Sequence, residues 1–146
     1  MLNVDTIKNG LVIDHIRAGS GYKIFTLLGL DKDVCTCALI CNVPSKKCGR
    51  KDIIKIDNVI NLDFSLLGFI DPNITVNTIT NGGVTRKKQL SLPPSVENVI
   101  RCKNPRCITS TEKYIPHIFV MVDRKRREYR CEYCDALYRA GVGEVF

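Results

Sequence analysis

No stretch of this chain approaches the roughly 20 apolar residues that span a bilayer, and the opening MLNVDTIKNG has no basic segment leading into an apolar signal core. A cytoplasmic protein without a membrane partner is expected. Equally missing are a Gly-rich loop to cradle phosphate, a nucleophile elbow and a metal site with an open position. Histidine is scarce: His15 and His117 are the only two. These gaps weigh against an enzyme, and no catalytic residue is identified; His117 is given a surface or packing role. Aromatic residues are also few, and only Tyr129 and Tyr133 accompany the basic cluster Arg124, Lys125, Arg126, Arg127 and Arg130. That is a poor platform for stacking single-stranded bases.

What the chain does have is an ordinary globular composition, 45% hydrophobic and 25% charged over 146 residues, enough for one compact domain or two small ones. The net charge is +7, with an excess of +3 in residues 1–100 and +4 in residues 101–146. Such a balance favours anionic partners without choosing among phosphates, nucleic acid and acidic protein surfaces. The eight cysteines would suggest disulfides in a short secreted chain, but with no sign of secretion, reduced thiols and a metal account for them better.

Asn9-Gly10, a turn-forming pair, precedes residues 11–16 (LVIDHI), which predict a buried strand. Ser20 is placed to cap a helix of about three turns, with Ile24, Leu27 and Leu28 on one face, ending near Gly29. Residues 34–43 predict a strand closed by Pro44. After a polar loop, residues 52–58 predict another, with Ile54 and Ile56 on one face and Ile53 and Lys55 on the other. A second short helix starts at Asn61 or Asp63, runs through Phe69 and stops at Asp71-Pro72. Residues 74–80, the turn Asn81-Gly82-Gly83 and a strand from Val84 complete the pattern. This order is the split β-α-β-β-α-β arrangement of a ferredoxin-like α+β domain, an antiparallel sheet with two helices on one face. Ser91-Leu92-Pro93-Pro94 reads as a linker, dividing the chain into residues 1–93 and a small all-β, zinc-ribbon-like domain at 94–146.

In the second domain Cys102-KNPR-Cys107 is followed, 23 residues later, by Cys131-EY-Cys134. Two close pairs bring four thiolates to the corners of a tetrahedron, the geometry zinc accepts from sulfur. Four protein ligands leave no place for water or substrate, so a single structural Zn²⁺ is expected, helping to fold strands too short to make a core alone. Cys35, Cys37 and Cys41 share strand parity and, with Cys48, read as core thiols rather than a second metal site.

Val12-Ile13-Asp14-His15-Ile16, the stretch from Gly49 to Ile56 (GRKDIIKI), Thr75-Val76-Asn77 and four cysteines after Ser91-Leu92-Pro93 closely resemble the regulatory chains of aspartate carbamoyltransferase, from about Val4 to Leu137. The resemblance implies a non-catalytic subunit of pyrimidine biosynthesis. Such a chain pairs with itself through a nucleotide-binding domain, here residues 1–93, and grips the catalytic chain through a zinc domain, here 94–146. It binds nucleoside triphosphates such as CTP and ATP as allosteric effectors. Lys51, Lys55 and Lys87 would then neutralise phosphate or touch ribose, Asp14 would face the ribose and His15 the phosphates. Ile7, Val12, Asn77, Ile79 and Val84 would frame the base. From spacing alone the lysines read as solvated surface and the apolar residues as core. As neighbours on a strand, Asp14 and His15 are expected to point to opposite faces. The chain departs from the family pattern at Gly82-Gly83, where an aromatic residue is usual, and in the denser charge of Arg86-Lys87-Lys88. Its short N-terminal extension is expected not to admit a second nucleotide with magnesium.

The rival reading is a nucleic-acid-binding zinc ribbon, with the arginines beside the second cysteine pair tracking a phosphate backbone. The same guanidinium groups suit carboxylates on a protein partner.

Overall fold

The computed structural model describes residues 7–30, 32, 36–46, 49–58 and 64–141. The described residues up to Asn58 join Asn73–Leu90 in one compact unit, and Phe64–Pro72 joins the described residues from Ser91 onward in another. The architecture is α+β, an antiparallel sheet domain followed by a small all-β one.

In the first unit, strands β1 (Gly10–Arg17), β2 (Cys37–Ser45), β3 (Gly49–Asp57), β4 (Thr75–Thr80) and β5 (Gly83–Gln89) form one sheet in the order β2-β3-β1-β4-β5. Every pair is antiparallel. The first four strands follow the ferredoxin-like order, and the hairpin strand β5 adds to the β4 edge. One face is apolar and buried through Leu11, Ile13, Ile16, Ile54, Ile56 and Val76, and Ile24 of helix α1 (Gly21–Leu27) is buried as well. Ile53 and Lys55 fall on the other face and stay half-buried, in keeping with strand parity.

Helix α1 has about two turns rather than three, and Ser20 makes no side-chain cap. Asp52 of β3 does that work. Its Oδ2 accepts the N–H groups of Gly19 at 3.1 Å and Gly21 at 2.8 Å, and its Oδ1 accepts the N–H of Asn42 at 2.8 Å. The carboxylate is buried yet holds three backbone donors. A Cβ on Gly21 would lie 2.7 Å from Asp52 Oδ2, so this close approach requires glycine. Strand β2 passes through Pro44, which pairs with Arg50, instead of closing there; at a sheet edge the missing N–H costs nothing. Its register slips between Ile40 and Val43, where Cys41 and Asn42 together oppose Asp52. That bulge breaks the parity expected of the cysteines: Cys37 is half-buried but Cys41 is exposed, so Cys41 is no core thiol. Cys35, Cys48 and the start of the second helix at Asn61 or Asp63 lie outside the described residues.

The second unit holds α2 (Phe64–Ile70), β6 (Ser95–Glu97), a single-turn helix α3 (Ile108–Thr111), β7 (Ile118–Asp123), β8 (Glu128–Cys131) and β9 (Leu137–Arg139), with sheet order β6-β7-β8-β9. Its core gathers Phe69, Leu92, Val96, Ile100, Phe119 and Tyr129 around Cys102, Cys107 and Cys131. Phe69 brings α2 into this core, its ring meeting Tyr129 edge-on at 5.0 Å and 63°. Gly68 lets the helix pass against the carbonyl of Ser91, where a Cβ would clash. Leu92 and Pro93 are buried, and the Pro93 carbonyl accepts the Tyr129 hydroxyl. Ser91-Leu92-Pro93-Pro94 is thus packed structure rather than a free linker.

Candidate functional site

Two constellations carry chemistry, one in each unit. In the second, the Sγ atoms of Cys102, Cys107, Cys131 and Cys134 all lie within 4.8 Å of one another. Cys102 and Cys134 approach to 3.5 Å, and Cys107 and Cys131 to 3.7 Å. A tetrahedron with metal–sulfur bonds of about 2.3 Å has edges of about 3.8 Å, so the donor set fits a metal ion held by four thiolates. Three of the four are buried and Cys134 is half-buried. The pairs come from the loop before α3 and from the end of β8 with its following turn, where the Cys131 carbonyl accepts the N–H of Asp135 at 3.0 Å.

Burial raises the Cys102 thiol and pushes Cys131 up to about 12. Burial works against ionisation at Cys134 too, but hydrogen bonds led by the Ala136 backbone bring it down to about 7. Metal must displace protons from the raised thiols, so capture is coupled to proton release and weakens as pH falls. His117 is more than a surface residue: its Nδ1 accepts the N–H of Cys102 at 3.2 Å. Burial first, and the charge of Arg101 second, lower the His117 pKa, which favours the neutral ring this contact needs.

The basic cluster occupies the β7–β8 turn and the strand after it. Arg130 pairs with Asp135 at 2.6 Å, and Arg126 lies 3.8 Å from Asp123. Two of its five cations therefore already face neighbouring carboxylates, which weakens the nucleic-acid reading.

The second constellation lies on the sheet face opposite the core of the first unit. Register aligns Lys55 with Val12, Val12 with Asn77 and Asn77 with Lys87. Four of the expected site residues thus form one transverse row across β3, β1, β4 and β5. Asn77 Oδ1 is buried in this row and has no hydrogen-bond partner. At one end Ile79 pairs with Gly10 and with Val84, and Ile7 Cγ2 lies 2.9 Å from where a Gly10 Cβ would be. These make an apolar corner in which Val84 is 60% exposed.

At the other end β1 bulges. Ile13 faces Ile54 and Ile16 faces Asp52, so Asp14 and His15 together oppose Ile53. His15 takes φ 60°, a left-handed conformation uncommon for a non-glycine residue. Alternation fails here, and the two side chains are not on opposite faces: His15 Nδ1 meets Thr75 Oγ1 at 3.0 Å, and Thr75 is the strand partner of Asp14. Asp14 Oδ1 pairs with Lys51 Nζ at 3.0 Å and accepts the His15 N–H at 2.6 Å. Burial opposes ionisation of Asp14, but the Lys51 hydrogen bond, the His15 N–H and the nearby positive charge hold its pKa below the usual carboxylate value. Sequence reasoning missed Thr75, whose place appears only once the register is known.

A sequence profile described as "Aspartate carbamoyltransferase regulatory chain, allosteric domain" matches residues 2–91, and one described as "Aspartate carbamoyltransferase regulatory chain, metal binding domain" matches residues 94–140. The aspartate carbamoyltransferase regulatory chain of Clostridium botulinum is 55% identical over 141 residues, 97% of each chain. That of Clostridium acetobutylicum is 55% identical over 139 residues, 95% of each chain. That of Bifidobacterium longum is 42% identical over 134 residues, 92% of this chain and 96% of its own. The two profiles and these full-length likenesses bear out the resemblance read from the sequence, and the chain belongs to the family of aspartate carbamoyltransferase regulatory chains, non-catalytic subunits with an allosteric and a metal-binding domain.

Proposed function

We propose that the open sheet face of the first unit binds nucleoside triphosphates, CTP and ATP, as allosteric effectors, and that the four-cysteine unit holds Zn²⁺ and grips the catalytic chain. The observation that carries the effector reading is the row Lys55–Val12–Asn77–Lys87, with a buried acceptor at Asn77 that lacks a donor. A buried amide oxygen is costly to leave unsatisfied, and a ribose hydroxyl or an exocyclic amine supplies the donor. The face is graded as such a ligand requires: Ile7, Ile79 and Val84 offer apolar contact to a base, Asp14 a carboxylate to ribose, and His15, Lys51, Lys55 and Lys87 nitrogen donors to ribose and phosphate.

Four thiolates in tetrahedral array suit zinc or iron; zinc is the reading taken because nothing in the chain indicates redox chemistry, and a closed set of ligands makes it structural. Along the sequence the allosteric domain covers residues 1–93 and the zinc domain 94–146, although α2 and residues 91–93 pack in the second unit; the protein works in the cytoplasm. Self-association into a regulatory dimer runs through the first domain, where β2 lies at one edge of the five-stranded sheet. Regulation requires the effector to bind one quaternary state better than the other, since equal affinities shift nothing.

Calorimetry with CTP and ATP tests the effector site. Lys55→Ala should weaken triphosphate binding about tenfold, the loss of one charge-assisted hydrogen bond, while zinc content stays at that of the unmodified chain. Equal affinity in the variant would remove Lys55 from the site.

A further inference from the structure

Two hydroxyl groups reach the metal-ligating sulfurs. Thr109 Oγ1 lies 3.1 Å from Cys107 Sγ, and the Tyr138 hydroxyl lies 3.5 Å from Cys102 Sγ. The Tyr138 oxygen accepts the N–H of Lys103 at 2.6 Å while its one hydrogen goes to the sulfur. Its ring is held edge-on against Phe119, with centroids 5.2 Å apart at 90°. Thr109 is buried, 3% exposed, on the single turn that follows Cys107. A thiolate can only accept a hydrogen bond, and it accepts a stronger one than a neutral thiol does. Both contacts are therefore suited to sulfurs that ligate a metal as thiolates. They are needed most in that state, because four thiolates carry more negative charge than a divalent cation cancels.

We infer that Tyr138 and Thr109 are positioning residues of the metal centre, whose hydroxyls donate to the Cys102 and Cys107 thiolates and slow loss of the metal. The inference rests on the four-cysteine metal site and adds to it two residues outside the ligand set. One hydroxyl serves each sulfur of the Cys102–Cys107 pair. The Tyr138 contact also ties strand β9 to the loop that carries Cys102, so the end of the sheet helps to hold the centre closed.

The test loads the full chain with cobalt(II) and follows both its transfer to a chelator and the sulfur-to-cobalt charge-transfer band. Tyr138→Phe and Thr109→Val should each release cobalt about tenfold faster, as loss of an outer-shell partner commonly does. Each should also move the band to longer wavelength, since a sulfur without its hydrogen bond gives up an electron more readily. Thr109→Ser, which keeps the hydroxyl, should behave as the unmodified chain. Should Tyr138→Phe fail to take up cobalt, Thr109→Val and Thr109→Ser decide the matter by the band. Unchanged bands and rates in the variants of a chain that loads normally would overturn the inference alone. Absence of a four-thiolate spectrum from the unmodified chain would overturn the metal reading and this inference with it.

Discussion

The first unit pairs strands of six to nine residues across an interior of Leu11, Ile13, Ile16, Ile54 and Ile56. The second has strands of three to six residues and a four-residue helix, and its interior is finished with the sulfurs of Cys102, Cys107 and Cys131. The first thus gets its order from long-range pairing and apolar burial. The second pairs shorter strands, and its buried Phe69, Phe119 and Tyr129 pack around the four-cysteine centre and draw in α2, a helix from between β3 and β4. The difference also sorts the chemistry. A sheet stable on one face can leave the other open to a ligand, whereas a unit closed around a tetrahedral centre has ligands only for its own metal.

The sharpest way to break the comparison is to remove the metal. Chelation, or Cys131→Ser, should unfold the second unit, because a structural zinc supplies on the order of 10 kcal/mol. Hydrogen exchange should then show protection lost over residues 95–140 and kept over 10–17 and 49–57. A smaller effect is expected of Phe119→Ala, fully buried in the second core: about 3–5 kcal/mol by urea unfolding of the zinc-loaded chain. In the first unit Asp52→Ala should cost roughly 2–4 kcal/mol, since three backbone donors lose their acceptor and α1 its cap. Circular dichroism melts of that variant should show the loss without any change in zinc content.

The smallest effect is pH-dependent and belongs to Asp14. Its pKa is held below the unfolded value, so its ion pair with Lys51 contributes stability that is fully present above the unfolded pKa and is lost as pH falls through the folded one. The stability gap between the unmodified chain and Asp14→Asn should shrink as pH is lowered from neutral to below about 4. A gap that stays constant would mean that Asp14 gains nothing from Lys51.

Much of this was legible in the sequence where a local pattern sufficed. The cysteine spacing located the metal site, and the parity of Ile53, Ile54, Lys55 and Ile56 assigned both faces of β3. What failed depended on partners distant in sequence. Ser20 looked like a helix cap, yet Asp52, 32 positions on, holds the helix start. Alternation puts Asp14 and His15 on opposite faces, but a bulge against β3 defeats it. The partner of His15, Thr75, is 60 residues away. Tyr138 and Thr109 carried no signal either, because a hydroxyl's distance to a sulfur is set by the hairpin and the turn rather than by neighbours in the chain. Phe69 gave α2 an apolar face without saying which core would take it.

One titration tests the account most directly: the purified chain against the catalytic chain of aspartate carbamoyltransferase from the same source, under reducing conditions, with zinc bound and with zinc chelated. The account predicts a stable complex with zinc and none without. No complex despite bound zinc, or a complex that forms equally well after chelation, would contradict it.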